Sequence, residues 1–191
     1  MKTIPPYLKD FQPNFDFSHV SEERKAKIKE IAQIEKEYRF VHLTMNDFIR
    51  YQKDGIRKIY ETPYFKNRKV LADLVLAYAL EKDESYIHPI IDGIDYILSE
   101  GSWVIPPHNY YYVRDSHVLP LWDGKRLLLA LFSLETGALL SMVYFFMKER
   151  LDNVTPLIMS NVYEAIKTRI LQPYLQDHFW WMGNGDEPMN N

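Results

Sequence analysis

Cysteine is absent from this 191-residue sequence, which excludes a thiolate nucleophile, a disulfide framework and any cysteine-ligated zinc or iron–sulfur centre. The formal charge at pH 7 is only -3, so there is no broad basic field of the kind that attracts nucleic acid or anionic lipid. We therefore expect no nucleic-acid partner and no membrane partner. A local basic patch could still bind a polyanion.

Several motifs of catalysis and nucleotide binding are also missing. The sequence contains no P-loop, GxGxxG, GxSxG or kinase signature, so nucleotide and α/β-hydrolase chemistry have no support. It lacks metal-binding spacings such as HExxH, and we predict no metal site and no cofactor. The first residues hold no apolar run of the secretory type. Localisation stays open between a cytoplasmic protein that starts at Met1 and a periplasmic or extracellular one whose signal has been removed.

Apolar residues recur at helical spacing along most of the chain, whereas neither strict alternation nor Asn-Gly turns support a sheet. We interpret residues 1–20 as an extended N-terminal arm and residues 21–191 as one helical domain. The pattern predicts helices over residues 22–38, 44–53, about 70–78, about 87–98, about 125–150 and 156–173. The predicted fold class is therefore all-α, built from successive helix pairs.

An acidic residue interrupts the most apolar stretch of the sequence. Residues 127–147 form a 21-residue run in which Glu135 is the only charged residue. The run could span a bilayer by length, but an acid at mid-membrane costs a few kcal/mol, so we interpret it as a helix surrounded by other helices in a soluble bundle. A buried carboxylate must be paired, hydrogen-bonded or neutral. Glu135 is thus predicted to tether a loop or helix end, with Arg114 or Arg126 as possible partners, or to act as a general acid or base in a cavity.

Five sequence blocks, in this order, resemble the N-terminal helical region of the heparinase II/III-like polysaccharide lyases. They are WVIPPHN from Trp103, DGKR with LFSLETGALL, RLDNVTP from Arg150, RILQPYL from Arg169, and WWMGN from Trp180 together with Asn190 and Asn191. The resemblance covers about residues 65–191. It implies an incomplete (α/α) toroid of helix pairs and an acidic, uronate-containing polysaccharide as the binding partner.

The resemblance also implies a chemistry. Lyases of this family work by β-elimination: one group neutralises the uronate carboxylate, a base takes the C5 proton and an acid protonates the departing O4. Asn190 and Asn191 match the neutralising position, where they would donate hydrogen bonds; a frayed polar terminus is the alternative. The family's basic Tyr and acidic His follow further along the chain, after more helices. Because the sequence stops at Asn191, we expect a truncated toroid that contributes a saccharide groove but lacks a complete active site.

Aromatic residues make up 15% of the sequence, and some of them are candidates for sugar contacts, since sugar C–H faces pack on indole rings. Packing in the core or at a helix end is the alternative. Within the loop of residues 102–124, a histidine could shuttle a proton or simply bond to backbone. The candidates for substrate binding are Trp103, His108, Asn109, Glu135, Trp180 and Trp181.

A run of cations at residues 57–69 would attract an acidic polysaccharide or would merely form a solvated helix face. The alternative function for the whole chain is a non-catalytic helical module that binds carbohydrate or assembles with itself. Exposed apolar helix faces would then form a homodimer.

Overall fold

The computed structural model describes residues 15–110 and 118–182, and over these ranges it contains helices but no β-strand. The predicted all-α class is confirmed; the closure of helix pairs into a toroid stays a prediction. The helices are α1 (Glu22–Glu35), α2 (Met45–Asp54), α3 (Lys58–Glu81), α4 (Ile87–Ser99), α5 (Leu131–Asp152), α6 (Pro156–Ile166) and α7 (Gln172–Gln176), with a π-helical turn at Lys167–Leu171 between the last two.

Local capping signals fix several helix ends where the sequence predicts them. The Ser21 hydroxyl accepts the Arg24 N–H at 3.3 Å, and the Thr44 hydroxyl accepts the Asp47 N–H at 3.1 Å. Each bond satisfies a backbone donor that has no partner within its helix. Gly55 ends α2 with a φ of 74°, a left-handed conformation that glycine adopts without strain.

Other helix boundaries differ from the prediction. The first helix ends at Glu35, so residues 36–38 belong to the connection to α2. The third helix is 24 residues long, from Lys58, and the fifth begins only at Leu131. The last helix does not close at Pro173, because this residue occupies the first turn of α7, where a missing N–H is tolerated.

The core is centred on α3, which packs against α1, α4 and α5, while α5 packs against α6. In the second half of α3, the fully buried side chains recur at spacings of three and four residues, as a helix enclosed by neighbours requires. They are Val70, Leu71, Leu74, Val75 and Ala77. A second, smaller apolar cluster joins α2, the start of α3 and the 102–110 segment through Phe48, Tyr60, Tyr64 and Ile105.

A buried ion pair connects the middle of α3 to the end of α4. The Arg68 guanidinium donates from Nη1 to Glu100 Oε1 at 3.0 Å and from Nη2 to Glu100 Oε2 at 2.6 Å. It also donates from Nε to the Thr136 hydroxyl at 2.8 Å and lies 3.3 Å from the centre of the Tyr64 ring. Bidentate geometry and these extra contacts are what a desolvated ion pair needs if it is not to destabilise the fold.

The π-helical turn brings a second arginine to the same helix end. Arg169 donates from Nη1 to the Glu100 carbonyl oxygen at 2.6 Å and from Nη2 to the Leu98 carbonyl oxygen at 3.3 Å. These are carbonyls that the last turn of α4 leaves without helical donors. The C-terminal end of α4 is thus held from α3 and from the turn after α6.

The prediction that α5 is surrounded by other helices is wrong. Within the described part of the chain, α5 is the one helix long and apolar enough to cross a bilayer, and 33% of its apolar window is buried. Its buried face carries Thr136, Leu140 and Val143, and the opposite face exposes Leu131 and Phe145. Such a helix is long enough to span a membrane. Burial on one side is equally typical of a helix that packs on the core of a water-soluble protein.

The first described residues cover part of the exposed face of α5. The Phe15 ring lies 5.0 Å from Phe146 in an edge-to-face arrangement and 6.0 Å from Phe145, and Phe17 lies 6.1 Å from Phe146. Edge-to-face pairs at these centroid distances are favourable beyond the area that they bury. The end of the predicted N-terminal arm is therefore packed against α5.

Candidate functional site

Trp103 is buried and serves the core. Its indole N–H donates to the Ile97 carbonyl oxygen at 3.0 Å, and the Arg169 guanidinium lies 5.0 Å from the ring centre. With 3% of its surface exposed, the ring has no free face for a sugar. The predicted substrate contact is wrong, and the packing alternative holds.

His108 and Asn109 organise the loop that contains them. The Asn109 side-chain amide donates to the Leu119 carbonyl oxygen at 3.0 Å, and the Leu119 N–H donates to the Asn109 carbonyl oxygen at 2.7 Å. Asn109 is 1% exposed, which leaves no surface for a substrate. The His108 ring stacks on Phe132 at 5.4 Å. The geometry of Asn109 is that of a residue that closes a loop, so its predicted contact with substrate is wrong.

Glu135 lies on the exposed face of α5, so the prediction of a buried carboxylate is wrong. The physical reason is its angular position, since Ser133, Thr136 and Gly137 turn towards the core and Glu135 falls between them on the other side. Of its two suggested partners, Arg114 lies outside the described residues. An exposed carboxylate is solvated by water and needs no tether.

Trp181 is half-buried, and its indole N–H donates to the Leu129 carbonyl oxygen at 2.9 Å. Its ring is parallel to that of Phe179 at 6.2 Å. Packing against the segment before α5 accounts for these contacts. The side chain of Trp180, and both Asn190 and Asn191, lie outside the described residues, so their predicted roles stay predictions.

The cationic run at residues 57–69 is largely neutralised within the fold. The Arg57 Nε lies 2.8 Å from both carboxylate oxygens of Glu61, and Arg68 is buried against Glu100. Lys66 and Lys69 both donate to Glu35. Lys66 and Lys69 hold α3 to α1, and Arg68 holds it to the end of α4, so the run offers little net charge to a polyanion.

A cleft with a volume of about 260 Å³ opens between the α1–α2 connection and α4. Residues 36–40 form one wall, and His88, Pro89, Asp92 and Tyr96 form the other. Three aromatic rings and three cationic or titratable nitrogen side chains thus share one concave surface with two carboxylates. A mixture of apolar faces and convergent polar groups is typical of small-molecule and saccharide sites.

The aromatic rings of the cleft support one another. Phe40 stacks on Tyr96 at 5.9 Å with 26° between the rings, and Tyr38 meets Phe40 edge-to-face at 5.3 Å. The Phe40 ring can approach α4 because residue 93 is glycine: a Cβ there would lie 2.6 Å from Phe40 Cζ. The lack of a side chain at Gly93 therefore allows Phe40 to pack directly on α4, and this contact sets the position of the wall formed by residues 36–40.

Asn67 on α3 holds the same wall from behind. Its Oδ1 accepts the Tyr38 hydroxyl at 3.0 Å and the Val41 N–H at 3.1 Å, while its Nδ2 donates to the Val41 carbonyl oxygen at 2.8 Å. The side chain is 1% exposed. With three hydrogen bonds to one segment, Asn67 replaces the backbone pairing that a connection between helices lacks.

The electrostatic setting of the cleft includes a raised pKa for Tyr38. Burial is the main cause, and the nearby charge of Glu35 adds to it. The Lys66 ammonium lies 5.5 Å from the Tyr38 ring centre and 2.5 Å from Glu35 Oε1, so it links the ring to the carboxylate. A hydroxyl with a raised pKa that already donates to Asn67 is suited to hold a position, not to abstract a proton.

Sequence reasoning did not identify this cleft. Residues 36–38, which form part of one wall, fall within the predicted first helix of residues 22–38. One local signal was available, because a glycine inside a helical pattern, here Gly93, often marks close approach of another group. The rest of the site depends on contacts between segments about fifty residues apart.

A scan against models of known protein families finds no match to the chain, and no curated protein matches it. Within the described ranges, no group of three or more His, Asp or Glu residues is placed to hold a metal ion.

Proposed function

We propose that this chain is a helical saccharide-binding module whose cleft receives an acidic glycan, and that it is the N-terminal helical portion of a heparinase II/III-like polysaccharide lyase. The observation that carries the binding proposal is the make-up of the cleft, in which Tyr38 and Tyr96 lie beside Lys36 and Arg39. The buried Phe40 ring packs against both tyrosines and supports them. Aromatic faces suit the C–H faces of a sugar, and a guanidinium suits a carboxylate. The family assignment depends on the sequence blocks alone.

The size of the cleft suits a short glycan segment. Its volume of about 260 Å³ is slightly below the range of about 300–1,000 Å³ for ligand sites. Two flanking cations, Lys36 and Arg39, lie on the connection, and His88 faces them from α4. Because Glu37 and Asp92 share the cleft, charge alone does not select the ligand, and the stacking surface has to supply specificity.

We propose binding without bond cleavage for this chain. The Tyr38 hydroxyl donates its proton to Asn67 and its pKa is raised by burial, so it does not serve as a base near neutral pH. The predicted candidates Trp103, Asn109 and Glu135 do not converge on the cleft, because two are buried in the core and one lies on the exposed face of α5. A module with these properties would deliver or hold a polysaccharide chain.

The test is titration calorimetry with uronate-containing oligosaccharides and with neutral oligosaccharides of the same length. We expect an acidic ligand to bind, and Tyr96→Ala to weaken its binding by about 3- to 10-fold through lost stacking. Arg39→Ala should weaken binding by a smaller factor that shrinks as salt is added. Tyr163→Ala and Arg24→Ala are the matched controls, since both side chains are exposed.

Two outcomes would contradict this function. The first is that no acidic oligosaccharide in the series binds. The second is that binding occurs but Tyr96→Ala and Tyr163→Ala reduce it equally, which would move the site away from the cleft.

Self-association with a second copy is the other candidate function, and one observation favours it. From α6 through the π-helical turn to α7, large apolar side chains are exposed along one continuous helical segment. They are Leu157, Tyr163, Leu171, Tyr174 and Leu175. Sedimentation velocity over a range of concentrations tests the idea: we expect a dimer that Leu175→Glu dissociates, and a monomer at all concentrations would exclude it.

A further inference from the structure

The two carboxylate oxygens of Glu35, the last residue of α1, have unequal surroundings. Oε1 accepts Lys66 Nζ at 2.5 Å and Lys69 Nζ at 3.3 Å. Oε2 is buried and has no hydrogen-bond donor among the described residues. The whole residue is 7% exposed, so water does not readily supply the missing donor. A buried carboxylate oxygen in this state needs an explanation.

Asp73 supplies that explanation. It lies on α3 within hydrogen-bonding reach of Glu35. Lys69 Nζ binds Asp73 Oδ2 as well as Glu35 Oε1, so a single ammonium group bridges the two acids. Two ionised carboxylates cannot hydrogen-bond to each other, because each is only an acceptor. Their contact becomes favourable when one of them carries a proton.

We infer that Glu35 and Asp73 share one proton at mildly acidic pH, and that this proton closes a clasp between the end of α1 and α3. Asp73 is the donor and Glu35 Oε2 the acceptor. The clasp lies directly before residues 36–40, the wall of the cleft, and it touches that wall through Lys66 and the Tyr38 ring.

The pKa shifts of the two acids support Asp73 as the donor and Glu35 as the acceptor. Burial is the main cause that raises the pKa of Asp73, and Glu35 raises it further while Lys69 opposes both. For Glu35, burial acts to raise the pKa, but hydrogen bonds from Lys66, Asp73 and Lys69 outweigh it and the pKa is lowered. The proton that the pair shares therefore belongs to Asp73.

The sign of the pH effect follows from the directions of the two pKa shifts. Because the pKa of Asp73 is raised in the folded state, Asp73 contributes stability at low pH, and this contribution is lost as pH rises through its folded-state pKa. Because the pKa of Glu35 is lowered in the folded state, Glu35 contributes stability at pH values above its unfolded-state pKa, and this contribution is lost as pH falls through its folded-state pKa. The clasp should be tightest at mildly acidic pH and weaker at neutral pH.

The direct test is a carboxyl ¹³C NMR titration of Asp73 in the wild type and in Glu35→Gln. We expect Asp73 to titrate above the ordinary range for aspartate, and Glu35→Gln to lower its midpoint because the charge that repels the Asp73 carboxylate is gone. If the Asp73 midpoint is unchanged in Glu35→Gln, or lies at or below the ordinary value in the wild type, the shared proton is refuted.

Thermal unfolding gives a second readout with a matched control. Asp73→Asn mimics the protonated acid, so its melting temperature should exceed that of the wild type by about 2 °C at about pH 7.5, with no difference at about pH 5. Asp152→Asn is the control, because Lys148 and Asp152 form a lysine–aspartate pair with the same i,i+4 spacing. If Asp73→Asn and Asp152→Asn change the melting temperature in parallel at both pH values, the proposal fails.

One consequence depends on the proposed function. If the cleft binds an acidic oligosaccharide, its affinity should be higher at about pH 5 than at about pH 7.5, and Asp73→Asn should reduce the difference. The two proposals can fail separately. Normal coupling of Asp73 to Glu35 without any glycan binding would refute only the proposed function, whereas glycan binding without the NMR coupling would refute only the clasp.

Discussion

The ion pair between Arg68 and Glu100 allows a prediction whose size can be worked out from the structure. Both side chains are almost fully buried, and two parallel hydrogen bonds of 2.6 and 3.0 Å join them. Glu100→Gln keeps the shape of the side chain but leaves the Arg68 charge in the core without its counter-ion. Loss of one member of a buried pair costs about 3–5 kcal/mol. With a urea dependence of about 2 kcal/mol per molar, the unfolding midpoint should fall by about 1.5–2.5 M.

Glu84→Gln is the control for this prediction. Glu84 also pairs with an arginine, Arg150, through both carboxylate oxygens, but its side chain is 61% exposed. An exposed pair contributes less than about 1 kcal/mol. A double variant, Arg68→Met with Glu100→Met, should recover most of the lost stability because it removes both charges from the core. The reasoning is refuted if Glu100→Gln costs no more than Glu84→Gln, or if the double variant is the least stable of the three.

Substitutions at three further positions test how the helices are packed and how α2 begins. Gly93→Ala should destabilise by about 1–3 kcal/mol and change the near-UV circular dichroism, because its Cβ would meet Phe40 Cζ at 2.6 Å; a stabilised variant would show that helix propensity outweighs the clash. Gly137→Ala should cost a similar amount in urea unfolding, since its Cβ would lie 2.9 Å from Ile170 Cγ1, and an unchanged midpoint would contradict the close approach of α5 to the π-helical turn. Thr44→Ala should cost about 1 kcal/mol through the lost cap of α2, and Thr44→Ser, which keeps the hydroxyl, should cost less.

Features governed by local chemistry were predictable from the sequence. Ser21, Thr44 and Gly55 act within one helical turn of themselves, so their roles could be stated without knowledge of the fold. The all-α class follows for the same reason, because helical periodicity is visible in a single segment.

Burial of a charged residue was not predictable, because it depends on the rotation of each helix and on partners far along the chain. Glu135 lies in a very apolar stretch, yet the packing of Thr136 and Gly137 turns it outwards. Glu100 has an ordinary polar setting in the sequence, yet it is buried against Arg68, 32 residues earlier. The apolar content of a segment does not identify which of its residues face the core.

The cleft was not predictable because the residues of one wall continue the helical spacing of α1. Residues 36–38 keep the spacing of α1, but the chain leaves the helix after Glu35 and is held by Asn67 instead. Asn67 itself lies in the middle of α3, where a polar residue is usually solvent-facing. Three specific hydrogen bonds to a distant segment cannot be inferred from its own neighbours in the sequence.

The π-helical turn at Lys167–Leu171 has a consequence beyond its own position. A turn with five-residue hydrogen bonding holds about one residue more than an α-helical turn, and each residue rotates a helix by about 100°. Everything downstream is therefore set at an angle that a regular helix would not give. Removal of a single amino acid from this turn would rotate the following segment around the axis and carry Phe179 and Trp181 away from the core and from the Leu129 carbonyl oxygen. Such a deletion would register as an altered tryptophan emission spectrum ten or more residues from the edited position.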